Sequence, residues 1–283
     1  MRSKVILAEQ EVDPHCAGME LGVYARQHLG ISNRRLQKAV RTRGLLLNGR
    51  PAHSKRKLRP GDRVQVALPA KEQVKIPVAD PKNLKVLYED PWLLAVDKPA
   101  GLPSYSLQDA RGAANQVAGH FLAQGLQLTP RPLHRLDTPA SGVLVFAKDA
   151  ETQTALTALW NEGQVQRRYY AICQGRLETA QEIKERLDGQ EALTKVKPLS
   201  IHPHCTELRA ELITGRTHQI RRHLAALGHP LLGDRRYGTA VEAGPRLALH
   251  ACEVSFPHPH KKGEHVKICS PVPQAEFRSY LLP

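Results

Sequence analysis

With 283 residues, 41% of them hydrophobic and 24% charged, the chain has enough apolar material for one or two folded domains, which excludes a disordered chain. Lysine and arginine outnumber the acids 41 to 27, and the net charge of +14 points to a polyanionic partner, nucleic acid ahead of an acidic membrane surface. No apolar run approaches the roughly 18 residues of a membrane span, and the start MRSKVILAEQEVD lacks the long apolar stretch of a signal peptide, so a cytoplasmic protein is expected.

The first strong element is ISNRRLQKAVRTRG, which predicts a helix. Ser32 is its expected N-cap, because a hydroxyl accepts an orphan backbone N–H. Ile31 and Leu36 suit a hydrophobic staple. Leu36 and Val40, one turn apart, are expected to face the core, while Arg34, Lys38 and Arg41 share another face. Gly44 is the expected stop. LLLNGRPA then reads as strand, turn and strand about Asn48-Gly49, a hairpin signal. Pro60-Gly61-Asp62 turns the chain into the alternating strand RVQVAL. From Arg34 to Arg63 there are eleven Lys or Arg and one acid, Asp62. AKEQVKIPVADPKN follows as a polar, proline-bearing linker. The expected organisation is a small basic domain at 1–70, a linker at 71–84 and a larger domain at 85–283.

In the larger domain, KVLYEDPWLLAVDKPAG holds two apolar runs broken at Asp90-Pro91. GVLVFAK is apolar on both faces, as a central strand is. Asp149 caps a helix with Ala155, Leu156, Leu159 and Trp160 on one stripe and Gly163 at its end. QRRYYAICQG is a further strand. CTELRAELITG alternates, with Thr206, Leu208, Ala210 and Leu212 on one face. It runs into the helix THQIRRHLAALG, whose apolar stripe is Ile220, Leu224 and Leu227, with Gly228 as its stop. Strands and helices without strict alternation predict an α+β fold with a mainly antiparallel mixed sheet.

The cysteines Cys16, Cys173, Cys205, Cys252 and Cys269 are odd in number and scattered, with no CxxC, so reduced thiols are expected. His202, His204 and Cys205, and the His250-Cys252 pair, lack the paired spacing of a structural zinc site, and no metal is assigned. In LHRLDTPASGVLVFAK a carboxylate, Asp137, sits in a turn-rich loop just before a buried strand, where a nucleophile or base is rigidly held. Read alone, that Asp is better explained as capping backbone N–H groups in a local turn. Arg216, His218, Arg221 and Arg222 gather at a strand–helix junction, fit to bind phosphate or to pair with a carboxylate.

VDKPAGL, HRLDTPASG, QRRYYAICQG, LITGRTHQIRRHLAALGHPLLGDRRYG and RLALHA, in that order over roughly 85–260, resemble the RluA family of RNA pseudouridine synthases. The stretch at about 15–68 is similar to the S-four type, or alpha-L, RNA-binding domain. The resemblance implies an isomerase that detaches uracil from ribose within rRNA or tRNA and rejoins it through a ring carbon, with no cofactor. It implies Asp137 as the catalytic carboxylate, and Arg221 as its ion-pair partner; a nearby guanidinium favours the charged form. It implies Tyr169 as the active-site aromatic, preferred to Tyr170 because the family has a basic residue two positions earlier, here Arg167. It implies Arg135 filling the space left by an extruded base, with an arginine bound to backbone phosphate as the equal alternative. His134, Lys98, Arg216 and His218 are candidate RNA contacts of the larger domain, and Arg34, Arg35, Lys38 and Arg41 of the smaller. The family's Thr-Ser-Gly after the HRLD element is Ala140-Ser141-Gly142 here, and Pro139 stiffens the loop. A monomer is expected. The competing readings are an RNA-binding protein without catalysis and a zinc-dependent nucleic-acid protein using His202, His204, Cys205 or Cys252.

Overall fold

A computed structural model describes residues 4–29, 31, 33–69, 76–126, 128–238 and 245–281. The expected cap Ser32 and the side chains of Arg34 and Arg35 lie outside the described residues. The chain forms two compact units, Met1–Lys75 and Ile76–Pro283.

In the first unit, β1 (Lys4–Glu11), α1 (Leu21–Gln27), α2 (Asn33–Arg41), β2 (Leu45–Leu47), β3 (Arg50–Pro51) and β4 (Arg63–Pro69) follow in order. The sheet runs β1-β4-β2-β3, and the β2–β3 turn carries Asn48 and Gly49 at positive φ, as a type I′ hairpin requires. Leu21, Tyr24, Leu36, Ala39, Leu45, Val64 and Val66 close its core. Val40 is not part of it: it is exposed, and Ala39 takes the buried position three residues after Leu36. The left-handed residue that ends α2 is Arg43 (φ 52°), not Gly44. Arg43 N–H donates to Val40 O and Gly44 N–H to Ala39 O, a Schellman closure. Gly44 is needed for a different reason: a Cβ there would lie 1.9 Å from Ala67 O on β4. Lys38 and Arg41 are exposed on the outer side of the helix.

The second unit contains β5 (Val86–Glu89), β6 (Leu93–Lys98), α3 (Ala113–Ala123), β7 (Arg131–Pro132), β8 (Ser141–Ala147), α4 (Ala150–Asn161), β9 (Gln166–Gln174), β10 (Gln181–Lys184), β11 (Leu193–Ile201), β12 (Cys205–Leu212), α5 (Gln219–Ala226), β13 (Leu249–Pro257), β14 (His265–Cys269) and α6 (Gln274–Phe277). Its long sheet runs β10-β11-β12-β9-β13-β8-β6-β5, with β14 on β13 and β7 on β8. Among the described residues, β13–β8 is the one parallel pair, so the sheet is mixed but mainly antiparallel. β8 is buried along its whole length, as an apolar run between two strands and two layers must be. Each buried Val, Leu or Phe there contributes roughly 1.5–3 kcal/mol. Gly142 sits at φ 112° where β13 approaches; a Cβ would lie 2.2 Å from Ala251 O. That contact sets the β8 entrance, five residues after Asp137. Asp149 caps α4 by accepting from Thr152 N–H. α5 buries Gln219, Ile220, Arg221, His223 and Leu224, whereas the expected stripe residue Leu227 is exposed at the helix end.

Candidate active site

The loop between β7 and β8 is fastened along its backbone, which fixes Asp137. Ser104 Oγ accepts from Leu136 N–H (2.9 Å) and donates to Leu136 O (2.8 Å). Gly101 N–H donates to Thr138 O (2.8 Å), and Ala140 N–H to Asp137 O (3.0 Å). Lys98, at the end of β6, is buried beneath the loop, and its Nζ lies within hydrogen-bonding distance of the carbonyls of Pro99 (2.9 Å), Leu102 (2.8 Å), Thr138 (3.3 Å) and Ala140 (2.6 Å). Below the loop, Ser141 Oγ accepts from Arg246 Nη2 (2.9 Å) and meets His250 Nδ1 (2.8 Å). Ser270 O can only accept, so His250 Nε2–H donates to it (3.3 Å), and the unprotonated Nδ1 of the neutral ring accepts from Ser141 Oγ. Burial keeps His250 below the ordinary histidine pKa, in accord with this neutral tautomer.

Lys98 therefore corrects an expectation: an ammonium caged by carbonyls under the loop is not an RNA contact. Burial pulls its pKa down, the Arg246 charge adds to this and Asp137 opposes it, leaving it at about 7. Four acceptors around one nitrogen still suit the charged form with its three donors. Lys98→Met is expected to leave those carbonyls unpaired and to lower stability by ~3 kcal/mol. Because the loop loosens, turnover should fall more than RNA affinity. Urea denaturation and single-turnover kinetics check this; an unchanged urea midpoint would show that the cage holds nothing.

Asp137 meets a second layer of charge from α5. Arg221 Nη1 donates to Asp137 Oδ2 (3.1 Å), while Nε and Nη2 make a bidentate pair with Asp234 at 2.7 Å each. Asp234 also accepts from the amides of Arg236 (3.0 Å) and Tyr237 (3.1 Å). Burial raises the Asp234 pKa, but Arg221 and these amides outweigh it and hold the carboxyl below its ordinary value. Arg221 goes the other way: burial lowers it, and the two carboxylates raise it above the ordinary arginine value. Sequence reading missed Asp234 and Tyr237, although GDRRYG stood among the matching segments. His218 opens α5 at φ 55°, its Nε2 3.7 Å from Asp137 Oδ1 and its Nδ1 2.9 Å from Tyr237 Oη. Burial lowers the His218 pKa, opposed by Asp137, so it is neutral at pH 7. Gln219, fully buried, ties the junction together: its Oε1 accepts from Thr214 Oγ1 (2.8 Å) and Arg216 N–H (2.9 Å), and its Nε2 donates to Leu193 O (3.0 Å).

Asp137, Tyr169, Arg221, His218, Arg216 and Arg135 line one cleft. Tyr169 enters it from β9, and burial pushes its phenol up to about 12. Tyr170 points to the opposite face of the sheet, where it hydrogen-bonds Glu207 and stacks on Phe277. Arg135 is exposed at the rim. Two expected neighbours do not join. Arg222 pairs with Asp188 (2.8 and 3.2 Å) on the far side of α5. His134 accepts from Val145 N–H (3.3 Å) and stacks on Trp160, and burial drives its pKa to about 3, so it is a neutral ring that faces the cleft's neighbouring cavity. His202 is 2.8 Å from Glu207, and the Cys205 thiol donates to Tyr280 O. Among the described residues, no helix is long and apolar enough to cross a membrane.

Residues 92–226 match the family model described as RNA pseudouridylate synthase. The uncharacterized RNA pseudouridine synthase YjbO of Bacillus subtilis is 33% identical, over 87% of this chain and 93% of its own length. The ribosomal large subunit pseudouridine synthase D of Xanthomonas campestris is 34% identical, over 86% and 82%. Among solved structures, human RNA pseudouridylate synthase domain containing 1 superposes with a TM-score of 0.58 at 26% identity, covering 70% of this chain and 87% of that one.

Proposed function

Since the chain belongs to the RluA-type family of RNA pseudouridine synthases, and so isomerises uridine to pseudouridine in RNA, we propose that Asp137 is the carboxylate acting at the anomeric carbon of the target. The observation that carries this is the Asp137–Arg221 pair at 3.1 Å, on the wall of a cleft shared with Tyr169, in a loop fastened through Leu136, Thr138 and Ala140. The reaction breaks the N-glycosidic bond and forms a carbon–carbon bond to the same sugar carbon; that ring carbon loses a proton and the freed ring nitrogen gains one, so it balances without a cofactor. Asp137 either adds to the sugar carbon or removes a sugar proton to help uracil depart. A phenol with a pKa of about 12 is protonated at neutral pH, so Tyr169 serves first as a stacking surface and hydrogen-bond donor.

The target base leaves its stack to enter the cleft, and Arg135 occupies the space it vacates. Arg216 and His218 contact the RNA beside it. The first unit acts as an alpha-L type RNA-binding domain, through Arg34, Arg35, Lys38 and Arg41. The substrate is a structured RNA, large-subunit rRNA before tRNA, a choice supported by the name of the Xanthomonas relative. The enzyme works as a cytoplasmic monomer. Pseudouridine mapping of RNA from cells lacking the protein tests this directly. One or a few sites should vanish, most in large-subunit rRNA, and return with the wild type but not with Asp137→Ala. Identical maps with and without the protein would defeat the reading.

A further inference from the structure

Beside the Asp137–Tyr169 cleft lies a second cavity of about 290 Å³, sharing that wall. Its remaining polar lining is rich in cations: Arg135, Arg167 and Arg216, with the rings of His134 and His218 and the hydroxyl of Thr217. Asp137 is the one acid lining it among the described residues, and that carboxylate already meets Arg221.

Arg167 is the unusual member. It sits on β9 two residues before Tyr169, hence on the same side of the strand. It is 5% exposed. Nη2 donates to the carbonyls of Leu212 (3.1 Å) and Thr214 (3.1 Å), and the guanidinium lies 4.2 Å over the Trp160 ring. Nε has no hydrogen-bond partner. No carboxylate among the described residues pairs with it; burial lowers its pKa, and the opposing charge effect comes from Tyr169. A buried cation without a counter-charge is costly. It is retained here on the wall of a cavity that touches the reacting carboxylate.

The hydrogen-bonding character of the lining selects the ligand. Guanidinium groups are donors only, so three of them suit an acceptor-only anion with several oxygens, whereas a base edge presents donors as well. The Trp160 ring is already covered by Arg167 and stacked with His134, leaving it poorly placed to stack a further base. The volume lies just below the roughly 300–1,000 Å³ of pockets that enclose whole small molecules. It fits a phosphate with part of its sugar.

We propose that this cavity is an anion subsite that seats the phosphodiester adjoining the target uridine, with Arg167 as the buried anchor and Arg216 as the outer arm. The position next to the target rests on the reading that the Asp137 cleft takes the uridine; the anion site itself does not.

The two tryptophans supply the probe. In a Trp92→Phe background, Trp160 reports alone, directly beneath Arg167. Inorganic phosphate is titrated against chloride at constant ionic strength, followed by uridine 3′-monophosphate and uridine 5′-monophosphate. Saturable change in Trp160 emission with phosphate is expected. Arg216→Gln, on the rim and outside the core, should weaken it about tenfold, the value of one charge-assisted contact. Arg167→Gln should abolish it, and Arg167→Lys, checked for folding by circular dichroism, should keep part. One of the two nucleotides should bind more tightly than inorganic phosphate, and its identity gives the side on which the phosphate lies. A response matched by chloride, or untouched by Arg216→Gln, overturns the subsite. Phosphate binding with no gain from either nucleotide overturns its place beside the target. Normal phosphate binding by a protein that forms no pseudouridine leaves the subsite standing and removes the catalytic reading instead.

Discussion

Asp137→Asn is expected to lower single-turnover pseudouridine formation on the order of 10⁴-fold or more, the scale of losing one member of a unit that acts together. RNA affinity should change by only a few-fold, because the amide keeps the size of the carboxylate and none of the outer arginines moves. Stability should change by roughly 1–3 kcal/mol, the scale of one charge-assisted hydrogen bond, since a single contact at 3.1 Å is weakened. Arg221 keeps its two bonds to Asp234 in this variant, so the guanidinium stays in place and the loss reports chemistry alone. Binding measured by filter retention and turnover measured on the same RNA separate the two effects. If the variant keeps a substantial share of the wild-type rate, Asp137 is not the reacting carboxylate and the cleft must work through another group.

The second large effect falls on a residue that does not touch the substrate in this scheme. Asp234→Asn breaks a bidentate pair whose carboxylate is fully buried, and it leaves Arg221 with one anionic partner. Breaking a buried pair from one side costs roughly 3–5 kcal/mol. The loss should appear as a lower urea midpoint. Freed from Asp234, the guanidinium can turn to Asp137 as a whole, so turnover should fall while RNA affinity holds. The pH dependence has a definite sign. The Asp234 carboxyl is held below its ordinary value in the fold, so its contribution is complete above the unfolded pKa of about 3.9 and fades as pH falls through the lower, folded value. The wild type should lose stability steeply in that acidic range, and Asp234→Asn should show a flatter curve there. A variant as stable as the wild type at pH 7 would mean that Arg221 is held by something other than this pair.

Much of the fold was legible because its signals are local. The Asn48-Gly49 hairpin, the Asp149 cap and the uniformly apolar β8 follow from turn chemistry, capping and burial on two faces. The errors arise where tertiary contacts outweigh pattern. Val40 and Leu227 are apolar but face solvent, while Ala39, Arg221 and His223 take the buried positions. Helical spacing ranks faces by hydrophobicity, and it cannot foresee that an arginine is drawn inward by carboxylates outside the helix, Asp137 and Asp234. Asp137 and Arg221 lie 84 positions apart, and no periodicity links them; the family motifs did. Asp234 was hidden because its partner is shared. Lys98 was misjudged because lysine usually reaches solvent, and its burial is set by the loop carbonyls that enclose the end of β6.

The loop that carries Asp137 is tied down by Ser104, Gly101 and Lys98 at Leu136, Thr138 and Ala140. A carboxylate held in this way cannot follow its target, so the burden of motion passes to the RNA. The nucleotide must travel to a fixed point, and the ease of that journey becomes a criterion of choice. Uridines in mismatches, bulges and loose loops start part of the way there, whereas those locked in stable helices do not. A stiff protein thereby reads the local softness of its substrate.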